Sequence, residues 1–322
     1  MRSKKILIAL ALVISLIFTA CDYSGAGKDS RYNIWLVVKS TDTQFWLSTF
    51  AGANAAKAEY NVDLTIVGPD TEEDYEKQNE YIEQAVREGA DAIVFSAISY
   101  SENAAAIDAA ARAGVKVVVI DSDVDSVNVS ARVGTDNVQA GRMTGSAVLD
   151  TDEEEIYVGI VNFAQGSRNG LEREQGLLES LDSDARVKDI YTINVAATPE
   201  AAELGVQNLI AEHPEINVLV GLNEPLAVGT ARAVVDLGIE DEVRVVGFDT
   251  NPECIELMRD GAVSALIAQN PYAMGYLGVE CAWKSLEGET FDPDTWIDTA
   301  TTIITKENMF SQESQQALFF FG

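Results

Sequence analysis

The sequence predicts an α/β protein built as two doubly wound parallel-sheet lobes, and three observations carry that prediction. Short β-branched runs alternate with Ala-rich amphipathic segments through most of the chain, the signature of repeated βα units. The alternation runs through two successive sets of similar pattern. Polar side chains recur where strands of both sets end, the edge at which open α/β sheets gather their ligands.

The first set places strands at residues 34–38, 63–67, 92–95 and 116–120, which have the unbroken apolar character of strands covered on both faces. Helices are expected near 45–60, 74–88 and 102–113, with Gly68, Gly89 and Gly114 as turns and C-caps at element ends. The second set places strands at 156–161, 190–195, 218–220, 243–246 and 265–267, and helices near 171–181, 199–212, 225–237 and 252–260. A late helix at 273–286 and a late strand at 299–304 follow both sets. Such additions return most easily to the edges of earlier sheets, so the chain is expected to cross between the lobes more than once.

The N-terminal segment stands apart. Arg2, Lys4 and Lys5 form a basic start, and the 15-residue apolar run from Ile6 to Ala20 is too short to span a bilayer comfortably. Residues 1–20 therefore read as an export signal. Phe18-Thr19-Ala20-Cys21 resembles the lipobox of bacterial lipoproteins, with Cys21 as the lipidated first residue of the mature chain, although Phe18 stands where leucine is usual. Residues 21–30, poor in bulky apolar side chains, read as a tether.

Lys and Arg number 22 against 52 Asp and Glu, a formal charge of -30. So acidic a surface repels phosphate backbones, which excludes nucleic acid as the expected partner. Cys254 and Cys281 fall on helices assigned to different lobes and are read as buried thiols rather than a disulfide.

The common catalytic signatures are missing. No glycine-rich phosphate loop follows the first strand, and no G-x-x-x-x-G-K-[ST] occurs. His213 is the only histidine and precedes Pro214, which leaves no basis for a Ser-His-Asp or Cys-His triad. Asp121-Ser-Asp-Val-Asp125 lacks the glycine and the distal glutamate of a calcium loop, and reads as solvated. No metal and no cofactor are expected.

Strands instead discharge into Lys39–Thr43, Ser96, Asp121–Ser122, Asn223–Glu224, Phe248–Asp249 and Gln269–Asn270. Singly, Asp121, Asn223 or Asp249 reads as a helix cap or turn former. Together, across both halves, they point to a polar cleft. Phe45 and Trp46 are adjacent helical positions that cannot both face one core squarely, so at least one is expected to look into that cleft.

The stretches KSTDTQFW, DAIVFSAIS, VVVIDSDV, VGTDNVQAGR, RNGLEREQG, GLNEPLAVG, VVGFDTNPE and ALIAQNPYAMG occur in the order seen in ribose-type sugar-binding proteins of ABC importers, and the chain resembles that family over nearly its whole mature length. The resemblance implies a type I periplasmic-binding-protein fold, its lobes joined by three crossovers. Residues 31–135 plus 271–296 would form the N-terminal lobe, and 136–270 plus 297–322 the C-terminal one. It also implies a ligand site: Lys39, Thr43, Phe45, Trp46, Ser96, Asp121 and Ser122 from the first lobe, with Arg173, Asn223, Asp249 and Gln269 from the second. At Ser122 ribose binders place an arginine, which speaks against ribose itself. Ala197, where an aromatic often closes the sugar ring, leaves room for a larger ligand.

Sugar chemistry suits these residue types. Hydroxyls that donate and accept are satisfied by carboxylates, amides and an arginine, while apolar ring faces suit flat aromatics. The expected function is that of a lipid-anchored extracytoplasmic solute-binding protein, a monomer without covalent chemistry, that captures a monosaccharide or related polyol for an ABC permease. The alternative is a sugar or autoinducer receptor read by a membrane sensor kinase. A sugar-responsive repressor shares the lobes, but needs a basic helix-turn-helix where this chain has an export signal.

Overall fold

The computed structural model describes residues 31–163, 165–292 and 295–318. The expected signal peptide, the tether and Cys21 lie outside the described residues. Five strands come first: β1 (Asn33–Val37), β2 (Asp63–Val67), β3 (Ala92–Phe95), β4 (Lys116–Ile120) and β5 (Ala131–Gly134), with α1 (Gln44–Tyr60), α2 (Tyr75–Arg87) and α3 (Ala104–Arg112) between the first four. The second half holds α4 (Asn137–Leu149), β6 (Ile156–Asn162), α5 (Arg168–Leu181), β7 (Val187–Asn194), α6 (Pro199–Glu212), β8 (Val218–Gly221), α7 (Glu224–Leu237), β9 (Arg244–Phe248), α8 (Pro252–Asp260) and β10 (Ala265–Ala268). Then come α9 (Pro271–Leu286), β11 (Trp296–Asp298), β12 (Thr302–Thr305) and α10 (Gln312–Leu318). No helix among the described residues is long and apolar enough to cross a membrane.

The strands form two six-stranded sheets, in the orders β11-β5-β4-β3-β1-β2 and β12-β10-β9-β8-β6-β7. All pairings in the first are parallel, and in the second only β10 with β12 is antiparallel. Among the described residues the chain passes between the lobes three times, at 134–137, 268–271 and 298–302. The sequence expectation ended the first lobe at 296, but Trp296–Asp298 pairs with Arg132–Gly134 as an edge strand of the first sheet, so the last passage follows Asp298. Strand alternation fills both faces of that sheet. Ile34, Leu36 and Val38 pack with Ala53, Met274 and Ala282, while Trp35 and Val37 pack with Ile82, Ala85 and Ile107.

Each lobe contains at least one very close helix crossing. A Cβ on Gly52 of α1 would lie 1.9 Å from the Tyr272 carbonyl oxygen of α9, and one on Gly275 of α9 would lie 1.9 Å from that of Thr49. In the second lobe a Cβ on Gly141 of α4 would meet the Arg173 carbonyl oxygen of α5 at 2.2 Å, and one on Gly176 would meet that of Val138 at 1.9 Å. Backbone therefore packs on backbone at both crossings, and the second one holds Arg173.

Candidate functional site

The carboxyl edges of the two sheets face each other across a cavity of about 310 Å³. Nine of the eleven residues expected from the sequence line it: Lys39, Thr43, Phe45, Trp46, Asp121, Arg173, Asn223, Asp249 and Gln269. The other two do not. Ser96 is buried behind the wall, where its hydroxyl donates to Asp121 Oδ2 at 2.7 Å and so positions the carboxylate. Ser122 is buried as well, and its Oγ has no hydrogen-bond partner. The cause is the turn at Asp121, which has φ of 57° and is closed by Ser122 N–H donating to the Ile120 carbonyl at 2.6 Å. That turn delivers Asp121 to the cavity and directs its neighbour elsewhere. A left-handed backbone costs a non-glycine residue about 1–3 kcal/mol and is found where a site needs it. Asp249, at the corresponding edge of the second sheet, has φ of 68°.

Five further residues line it, Glu72, Phe163, Asn169, Glu224 and Pro225; of these only Glu224 stood among the strand-end polar residues of the sequence, and it was not expected in the site. Glu72 lies in an acidic run after β2 that reads as a solvated helix start, and Glu224 reads as an ordinary first-turn acid of α7.

Aromatic rings make the apolar part of the wall. Phe45 and Trp46 both reach the cavity, edge to face with centroids 4.9 Å apart, and Trp46 Nε1–H donates to Glu72 Oε1 at 3.0 Å. Thr43 starts α1 by accepting from Trp46 N–H, and Asn223 starts α7 by accepting from Leu226 N–H, so each cap residue also lines the cavity.

Arg173 is the centre of the polar part. Its Nε donates to Asn137 Oδ1, Nη1 to the Leu222 carbonyl and Nη2 to Gln269 Oε1, each at 2.9 Å, while the guanidinium lies 4.3 Å from the Phe248 ring centroid. Gln269 Oε1 also accepts from Thr135 Oγ1, which turns its Nε2 toward Asp249 Oδ1 at 2.7 Å. Burial pushes the Asp249 carboxyl up to about 7, against the lowering effects of Arg173 and Gln269. Burial also raises Glu72, opposed by the charge of Lys39 and the Trp46 N–H. The Arg173 guanidinium is lowered by the same desolvation, countered by Asp249 and Asp121.

Several contacts bridge the lobes. Lys39 Nζ donates to Ser167 Oγ at 2.9 Å and Asn169 Oδ1 at 3.1 Å, and Asn169 Nδ2 donates back across the cleft to Asp121 Oδ1 at 3.0 Å. Glu224, from the second lobe, accepts from the Gln44 and Phe45 amides at 3.1 and 2.7 Å. Its carboxylate thus occupies the positive end of α1. Ala197, by contrast, is absent from the cavity wall.

Two carboxylates with raised affinity for protons, buried Asp249 and half-buried Glu72, together with an immobilised guanidinium, oriented amides and three aromatic rings form a site that binds rather than one that transforms. No group of three or more His, Cys, Asp or Glu placed to hold a metal occurs among the described residues. Residues 34–290 match the periplasmic binding protein domain model. The chain belongs to the periplasmic binding protein family. Members of this family are solute-binding proteins of transport systems, not enzymes.

Similar proteins include the ribose import binding protein of Bacillus subtilis, 26% identical over 88% of this chain and 93% of that protein. The D-ribose/D-allose-binding protein of Pseudomonas aeruginosa is also 26% identical, over 94% of this chain and 98% of that protein. A carbohydrate transporter solute-binding protein from Agrobacterium radiobacter, solved with D-arabinose, superposes with a TM-score of 0.87 at 26% identity, covering 90% of this chain and all (100%) of that one. A sugar transporter from Clostridium phytofermentans is 33% identical with a TM-score of 0.78, covering 86% of this chain and 100% of that one. The type I fold expected from the sequence is thereby established, and family membership places the protein outside the cytoplasm.

Proposed function

We propose that this periplasmic binding protein captures a monosaccharide or related polyol between its lobes and delivers it to an ABC permease. The observation that carries this reading is the pairing of Phe45, Trp46 and Phe163 with Arg173, Asp121, Asp249, Asn223 and Gln269 around one cavity. Apolar ring faces and fixed polar partners are the two things a sugar requires of a dehydrated site. The match to sugar-binding import proteins supports it. The two lobes, divided near residues 135, 270 and 298, each supply one wall, so a monomer holds a complete site. Calorimetric titration of the exported chain with D-ribose, D-allose, D-arabinose, D-fucose and D-tagatose tests the reading. At least one should bind saturably at one per chain; silence across this panel and a wider set of pentoses and hexoses would refute it.

The Asp249 carboxyl adds a pH signature. Raised by burial to about 7, it should be part-protonated near neutral pH before a sugar arrives. Sugar hydroxyls donating to it favour the ionised form, so binding should release a proton and affinity should rise from pH 6 to pH 8. Titrations at pH 7 in buffers of different ionisation enthalpy should therefore give different apparent enthalpies. Identical values would exclude the linkage.

We further propose that Cys21 is diacylated and anchors the protein at the outer face of the cell membrane. One acyl chain gives marginal attachment, whereas two give stable anchoring. Cys21→Ser should move the protein from the membrane fraction to the soluble extracytoplasmic fraction, and unchanged fractionation would sink this proposal.

A further inference from the structure

The inner cavity, lined by Phe45, Trp46 and Phe163, is the narrower of two neighbouring chambers. Beside it opens a second chamber of about 820 Å³, and the two share Thr43, Glu72, Glu224 and Pro225 in their walls. The two chambers are therefore neighbours with part of their walls in common, the inner one aromatic-lined and narrow and the outer one wide. The outer end is a built space in its own right. Pro199, Pro225 and Val228 give it apolar surface, while Thr71, Thr198 and Asn251 bring hydroxyl and amide groups. Ala197 contributes only a methyl group to this wall, and its N–H donates to Glu73 Oε1 at 2.8 Å, joining second lobe to first.

The charge of the outer chamber is one-sided. Asp42, Asp70, Glu200 and Glu253 line it together with the two shared glutamates, and Arg232 is the sole cation of the lining. That guanidinium is already engaged, donating to both Glu253 oxygens at 2.6 and 2.8 Å with Glu200 at 3.9 Å. No cation is left over for an anionic group, so a phosphorylated or carboxylated substituent would meet only repulsion there.

We propose that the natural ligand is a glycoside of two units, its first sugar in the aromatic-lined cavity and a second, neutral or amine-bearing sugar in the outer chamber. This goes beyond the monosaccharide reading above and rests only on the inner cavity being a sugar site. A monosaccharide fills only the narrow end. A disaccharide adds the apolar and hydroxyl contacts of the wide end without a second loss of translational freedom, because the two units arrive joined.

The test is calorimetry on the wild-type chain with matched probes: D-xylose and xylobiose, D-glucose with cellobiose and maltose, D-galactose and lactose, D-glucosamine and its β-1,4 dimer. At least one disaccharide should bind tenfold or more tightly than its own monosaccharide. Ala197→Trp, which fills the outer chamber from its rim, should remove that gain while leaving monosaccharide affinity within about twofold. Ala197→Phe should act in the same direction and more weakly, and retained monosaccharide binding shows that both variants are folded. Monosaccharides that bind while no disaccharide exceeds them overturn the inference and leave the sugar-site reading standing. A disaccharide gain unaffected by either substitution also overturns it, by placing the second unit elsewhere. Absence of binding by any probe overturns both.

Discussion

Arg173→Ala should weaken sugar binding by about a hundredfold or more. Hydrogen bonds from a charged donor are worth roughly 1.5–3 kcal/mol, and each ~1.4 kcal/mol is a factor of ten. The loss goes beyond ligand contacts. The Leu222 carbonyl, Asn137 Oδ1 and one of the two bonds to Gln269 Oε1 lose their donor, and the Asp249 and Asp121 carboxylates lose their nearest buried guanidinium. Burial then drives Asp249 further toward its protonated form, which removes an acceptor as well. Arg173→Lys should recover only part of the affinity, because an ammonium cannot serve three acceptors in a planar fork. Discrimination among epimers should narrow in the alanine variant, since directed hydrogen bonds create it. Affinity within twofold of wild type would locate the ligand away from this cavity.

Gly52→Ala should lower the melting temperature by roughly 5–10 °C. Intrinsic helix propensity alone points the other way, since alanine is about 1 kcal/mol better than glycine inside a helix. The Cβ, however, would stand 1.9 Å from the Tyr272 carbonyl oxygen, so two helices must separate. Overpacking costs about 1–3 kcal/mol and more when backbone must move, and each kcal/mol is about 2–4 °C for domains of this size. Ala51→Val, at the exposed neighbouring position, serves as the comparison and should shift melting by no more than a degree or two, in keeping with a propensity change of under about 1 kcal/mol. A stabilised Gly52→Ala variant would show that α1 and α9 cross with more space than described.

The long, strongly patterned elements were legible in the sequence. Residues 63–67, 92–95, 116–120, 199–212 and 252–260 form strands and helices with the expected bounds. β5, β11, α4 and α10 were not legible. The two strands are short, at four and three residues, and carry Arg132 or Asp298 instead of an apolar run. α4 contains Gly141 and Gly145, which argue against a helix on propensity, yet Gly141 is what allows α4 to lie against α5. Tertiary contact overrides the local preference there.

The site was legible where chemistry and strand ends coincide, as at Asp121, Asp249 and Gln269. It was not legible where a side chain arrives from a loop or from the opposite lobe. Glu224 illustrates this: four residues of sequence show an acid beginning a helix, but nothing in them reveals that it binds the amides of a different helix. Ser122 shows the converse. Sequence position sets it next to Asp121, and a single left-handed residue turns it away from the cavity.

The bridges between the lobes also bear on time. A ligand enclosed behind the Lys39–Asn169–Asp121 chain and the Glu224 contact to α1 escapes no faster than those bonds open together. Residence time is then a property of the rim as much as of the contacts the ligand itself makes, and differences among related complexes fall mostly in the dissociation rate. Because Lys39, Asn169, Asp121 and Glu224 are all buried, added salt should change that residence little. Any membrane partner that draws Glu224 off the end of α1 would act on release directly, without touching the bound molecule.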